Sequence, residues 1–171
     1  MSFTRKIFWV CALAFVGAFL VGSAGSWREY RSSEGRFSVK FPGDPTVQKM
    51  DKDGRNMTIA MVLSGDLVLM VAYTDIPESS VRVAGAEAIL LGAQNGYLYG
   101  CKGTLVRSSE FEYGSHKGRT LEADLESDGF TRGFFLLADT RLYMVFALGP
   151  SESRTSNGVN QFLGSFKLLK Q

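Results

Sequence analysis

The chain has 171 residues, 45% of them hydrophobic and 21% charged, a globular composition that excludes intrinsic disorder. Its formal net charge is +2. The surplus positives are Arg5 and Lys6, which precede the first acid, Glu29. Everything after them therefore sums to zero and offers no clustered basic surface for nucleic acid.

Arg5 and Lys6 open a secretory pattern. Ile7 to Val21 follows without a charge, and then come the small residues Gly22, Ser23, Ala24, Gly25 and Ser26. A positive start, an apolar middle and a small-residue end make a cleavable signal peptide over residues 1–25. Gly22 and Ala24 suit the −3 and −1 positions, which places cleavage after Ala24. The alternative is an uncleaved anchor over residues 7–22, although the apolar run falls short of the roughly 20 residues that span a bilayer. Arg5 and Lys6 keep the N-terminus inside in both cases. Residues 26–171 are then a single domain outside the cytoplasm, periplasmic or secreted, touching the membrane only through an uncleaved leader. Cys11 belongs to the apolar segment, so Cys101 stands alone and an internal disulfide is not expected.

Trp27 to Arg31 reads as a short lead-in. Phe37, Val39 and Phe41 alternate with Ser38 and Lys40, the pattern of a half-buried strand, and Pro42-Gly-Asp-Pro45 stops it. Thr46 to Met50 and Arg55 to Leu63 form a hairpin about Asp53-Gly54. Leu67 to Tyr73 is apolar enough for an interior strand. Pro77 to Ser80 reads as a helix entry with a serine cap. Ala86, Leu90, Ala93, Tyr97 and Cys101 then form one helical stripe. Glycines 85, 92 and 96 either weaken this helix or let it approach a sheet. Strands follow at Leu105 to Tyr113, Thr120 to Glu126, Phe130 to Ala138 and Leu142 to Leu148. The last is apolar on both faces, as a central strand under a helix would be. Val159, Phe162, Leu163 and Phe166 mark a second helix, and Lys167 to Leu169 ends the chain extended. Hairpin-linked strands with two helices mean an α+β fold with a mostly antiparallel sheet.

The segment Tyr30-Arg-Ser-Ser-Glu-Gly-Arg-Phe-Ser-Val-Lys-Phe-Pro-Gly-Asp-Pro45 resembles the opening of PsbP-like exported bacterial proteins. Arg141-Leu-Tyr143 and the closing Phe162-Leu-Gly-Ser-Phe166 agree with it, so the likeness runs from about Tyr30 to Leu169. The resemblance implies an α/β/α sandwich, an antiparallel sheet with helices packed on it. It implies no activity and no cofactor, because that fold group mostly binds other proteins.

The residues themselves carry little catalytic chemistry. His116, the one histidine, lies in a glycine-flanked turn beside Lys117. Asp124 to Gly129 echoes a calcium loop, but the twelfth position is Phe135 and not glutamate. Gly114 to Thr120 is too short for a P-loop. Glu122, Asp124 and Glu126 alternate with apolar residues and are expected on a solvated face. Asn56-Met57-Thr58 is a glycosylation sequon within a strand. No catalytic or metal-binding residue is expected.

The sequence therefore points to a non-enzymatic binding domain with a protein partner outside the cytoplasm, as an accessory subunit of an envelope assembly. The alternative is a periplasmic small-ligand carrier, its cleft between helix and sheet lined by Tyr97 and Tyr99. A hydrolase with an unusual site is the remaining reading.

Overall fold

The computed structural model describes residues 26–52, 55–126 and 128–170. The leader residues Arg5, Lys6, Gly22 and Ala24 lie outside the described residues. Among those described, no helix is long and apolar enough to cross a membrane.

The strands form two sheets. β1 (Arg28–Ser32), β2 (Phe37–Phe41) and the C-terminal β10 (Lys167–Leu168) make a small sheet in the order β1-β2-β10. The other seven strands are β3 (Thr46–Lys52), β4 (Arg55–Ser64), β5 (Leu67–Asp75), β6 (Thr104–Tyr113), β7 (His116–Leu125), β8 (Gly129–Ala138) and β9 (Arg141–Pro150). They form one sheet in the order β3-β4-β5-β9-β8-β7-β6, antiparallel at every pairing. The α+β expectation holds, and Leu142 to Leu148 does lie in a central strand, β9, between β5 and β8. The Trp27–Arg31 lead-in is corrected: most of it is β1. Tyr30 pairs across to Val39, and its ring meets Phe37 and Phe41.

Period-two alternation sorts the large sheet's side chains into two cores. Met70, Ala72, Phe135, Leu137, Leu142, Met144 and Phe146 face α1 (Glu78–Cys101). Val71, Tyr73, Leu136, Tyr143, Val145 and Ala147 face the small sheet and α2 (Asn157–Gly164). The order is helix, large sheet, then a mixed layer of small sheet and short helix.

α1 departs from its expected entry. Pro77 is the N-cap residue and no side chain caps the helix; the Pro77 carbonyl accepts from the amides of Ser80 and Val81. Gly85, at φ 78°, breaks the helix one residue before the apolar stripe begins. A side chain is strained in that region, and glycine is not. Leu90 and Ala93 are buried, with Ala86 and Tyr97 packed against the same core. α2 is capped as its sequence suggests, with the Ser156 hydroxyl accepting from Val159 N.

The residues that carried the family resemblance hold the layers together. Tyr143 OH donates to Gly35 O at 2.7 Å, and Arg141 Nη1 donates to Glu34 O at 2.6 Å. Both bonds dock the β1–β2 turn on the large sheet. At the other end, the Ser165 hydroxyl donates to Phe162 O and accepts from Lys40 N. Phe166 stacks on Phe37 with centroids 5.7 Å apart, and Phe162 meets Phe41 at 5.3 Å.

Candidate functional site

Polar groups gather where the large sheet runs out from under its covers. α1 lies over β7 and β8, and α2 over β9. β6, the terminal strand, projects past both. A hollow of about 160 Å³ opens between α1 and the β6–β7 hairpin. It is lined by Glu87 and Leu90 of α1, Glu110, Phe111 and Glu112 of β6, and Lys117, Gly118 and Arg119 of β7.

The hollow's charges are largely paired within the chain. Lys117 Nζ reaches Glu87 Oε1 at 2.6 Å, and Arg119 Nη2 reaches Glu110 Oε1 at 2.5 Å. The hydrogen bond and charge of Lys117 hold the Glu87 carboxyl below its ordinary range, and Glu87 raises the Lys117 ammonium in return. Behind them Ser108 Oγ lies 2.6 Å from Gln94 Oε1 and 2.8 Å from the Thr120 carbonyl. Its single proton is shared between acceptors that are not bases, so the hydroxyl is a structural link and not an activated nucleophile. Arg119 Nε is buried without a hydrogen-bond partner.

A second cluster lies on the opposite face of β7. Glu122 receives Arg107 Nη2 at 2.8 Å and Arg154 Nη1 at 3.1 Å, and Arg154 Nη2 also donates to Asp124. The solvated face expected for Glu122 is therefore corrected. Its side chain is only 14% exposed, because Arg154, from the turn before α2, folds over it. The Arg132 guanidinium donates to Asn160 Oδ1 at 2.9 Å and so reaches α2 from β8. Glu126 pairs with Lys102. Asp124 and Glu126, two of the three carboxylates of the calcium-loop echo, each face a cation of this chain. Among the described residues, no three His, Cys, Asp or Glu side chains cluster closely enough to hold a metal ion.

Tyr97 and Tyr99 do not share a cleft. The Tyr97 ring stacks on Phe146 at 4.4 Å, and its hydroxyl is 2.7 Å from Thr131 Oγ1 under the helix. Tyr99 is 71% exposed. Residues two apart on a helix point about 200° apart, to nearly opposite faces, which separates them. The hollow beside α1 lies at Glu87 and Leu90 instead, toward the start of the helix from Tyr97, and is lined mostly by charged residues. His116 opens β7 opposite Tyr113. Cys101 closes α1, half-buried, with Sγ 3.7 Å from Leu98 O. The sequence reading missed Glu87, Lys117 and Arg119. Lys117 and Arg119 share the inward parity of Leu121 along β7, and that was the available signal.

The seven-stranded sheet, its crossing helix and the mixed second layer match a solved structure, cyanobacterial PsbP (CyanoP) from Synechocystis. The TM-score is 0.60, and the match covers 90% of this chain and 98% of that one. The fold is PsbP-like. At 15% identity the likeness is one of fold alone. A Pseudomonas aeruginosa protein of unknown function matches at TM-score 0.40 and 12% identity, over 75% of this chain and 85% of that one. No family model matches the sequence, and no curated protein matches it either. Within this PsbP-like fold, Arg141 and Tyr143 dock the β1–β2 turn on the large sheet.

Proposed function

We propose that this chain is an exported, non-enzymatic binding domain that holds a protein partner as an accessory subunit of an envelope assembly. The observation that carries the reading is the closure of its polar clusters. Glu87 with Lys117, Glu110 with Arg119, and Glu122 with Arg107 and Arg154 are paired within the chain. Ser108 is tied to Gln94 and a backbone carbonyl. Groups so paired rigidify a scaffold, whereas acid–base catalysis needs a group free to take or give a proton. Export rests on the leader pattern of Arg5, Lys6, Gly22 and Ala24.

The test is crosslinking in intact cells, followed by purification of the chain and its adducts from the envelope fraction. A discrete heterologous adduct is expected, on a chain whose mature N-terminus follows Ala24. Recovery of the chain with no adduct would overturn the binding role. Recovery from the cytoplasm would overturn export.

A further inference from the structure

The two edges of the large sheet are finished differently. β3 follows directly on Pro45, and its Lys49 is held by Glu34 of the β1–β2 turn at 2.7 Å. Proline, lysine and a covering turn are the usual protections of an edge. β6 is ten residues long and contains neither proline nor lysine. What guards it is a bulge between Leu105 and Arg107 at its start and the charges of Arg107, Glu110 and Glu112; past the bulge the register with β7 is regular to Tyr113.

The direction of its free backbone groups follows from one residue. The N–H and the C=O of Ser109 both point to the Thr120 hydroxyl of β7, at 3.0 and 3.2 Å. Backbone groups alternate along an antiparallel strand. Those of Ser108, Glu110 and Glu112 therefore point away from β7, to the open edge. The side chains beside that edge divide by face. On the α1 side, the hollow has three carboxylates, Glu87, Glu110 and Glu112, against two cations, Lys117 and Arg119. On the other side are Phe111, packed edge-on against Phe134 at 5.7 Å, and Tyr113.

We propose that the β6 edge is a docking site for an extended segment of a partner protein, added as an eighth strand, with basic residues on the α1 side and apolar residues beside Phe111 and Tyr113. Main-chain hydrogen bonds to Ser108, Glu110 and Glu112 supply affinity, and alternate side chains supply selectivity. One long basic side chain enters the hollow of about 160 Å³ and offsets its surplus carboxylate. This inference rests on the binding role proposed above and names the surface that performs it.

The probes are two ten-residue peptides, one alternating lysine and valine, the other glutamate and valine. Each is titrated into the purified full chain, with amide shifts and hydrogen exchange read by NMR. The lysine–valine peptide is expected to slow exchange at Ser108, Glu110 and Glu112, to leave β3 unchanged, and to bind at least tenfold more tightly than the glutamate–valine peptide. Glu112→Pro removes an outward N–H that serves no bond to β7, a position an edge strand accepts. It is expected to weaken binding at least tenfold. Glu112→Lys keeps the backbone donor and is expected to reverse the preference between the peptides. Equal binding of both peptides, shifts confined to another surface, or no binding at all would overturn the proposal. So would concentration-dependent protection of β6 without peptide, since a second copy would then occupy the edge. If cellular crosslinking recovers a partner equally with Glu112→Pro, the edge assignment fails and the binding role stands. If wild type recovers none, the binding role itself fails.

Discussion

Arg141 grips Asp75 with two parallel hydrogen bonds, Nε to Oδ1 at 2.7 Å and Nη2 to Oδ2 at 2.8 Å, across the β5–β9 pairing. Its remaining arm reaches the Glu34 carbonyl, and its guanidinium carbon lies 5.0 Å from the Tyr73 ring centroid. One side chain thus joins the centre of the large sheet to the turn of the small one. Lysine lacks the planar fork that makes such contacts. Arg141→Lys is expected to cost about 1–2 kcal/mol, as charged hydrogen bonds are lost. The low end is favoured by solvent screening, since the Asp75 side chain is 61% exposed. Urea unfolding measures the cost, and an unchanged midpoint would show the docking to be carried by Tyr143 and packing.

The same pair predicts an acid dependence. The Arg141 hydrogen bond holds the Asp75 carboxyl below its ordinary value, against the opposing effect of burial. A depressed carboxyl stabilises the fold above the unfolded value, about pH 3.9, and that contribution is lost as pH falls through the folded value. Wild type should therefore exceed Asp75→Asn in stability at pH 6, and the gap should close below about pH 4. A gap constant from pH 6 to pH 2.5 would refute the assignment.

Gly133 marks where backbones meet. A Cβ there would overlap the Val145 carbonyl oxygen on β9 and come within 2.6 Å of Phe146 Cδ1. Backbone cannot yield as a side-chain end can, so Gly133→Ala is expected to destabilise by about 3 kcal/mol. Gly92, exposed on α1, has nothing within 4 Å of its Cβ position. Gly92→Ala is expected to stabilise by about 0.5–1 kcal/mol through helix propensity. Opposite shifts in melting temperature check both at once, and equal shifts would contradict the packing described.

Tyr97→Phe separates packing from polarity. The ring contact with Phe146 remains, while Thr131, fully buried, loses the hydroxyl 2.7 Å from its Oγ1. A loss of about 1–2 kcal/mol is expected in thermal unfolding. Little change would mean that water reaches Thr131 under the helix.

Glu122 takes its two cations from β6 and from the turn before α2. Glu122→Gln leaves Arg107 and Arg154 facing a neutral amide, and Arg154 keeps Asp124 and the Phe130 ring. A cost of about 1–2 kcal/mol is expected, together with faster amide exchange between Ser151 and Asn160. Unchanged exchange there would show that Arg154 does not hold this segment in place.

Local pattern was enough for most of the elements, though not for β1 or the entry of α1. Alternation in Phe37–Phe41 and around Leu121, the stripe from Ala86 to Cys101, and the Asp128-Gly129 turn each depend on neighbours within a few residues. The α+β class followed from them, and Tyr30-to-Pro45 with Arg141-Leu-Tyr143 pointed to the PsbP-like fold. Partnership was beyond that reach. Period two tells which side chains share a face, but not what will cover it. Only the folded chain placed β10 beside β2, β5 beside β9, and Arg154 over Glu122, because such contacts join residues far apart in sequence. The same limit hid the candidate site. The tyrosines at 97 and 99 are one turn's neighbours in sequence, yet helix geometry sends one into the core and the other to solvent. Glu87, Lys117 and Arg119 meet only because α1 crosses β7, and β6 is open only because the large sheet ends there.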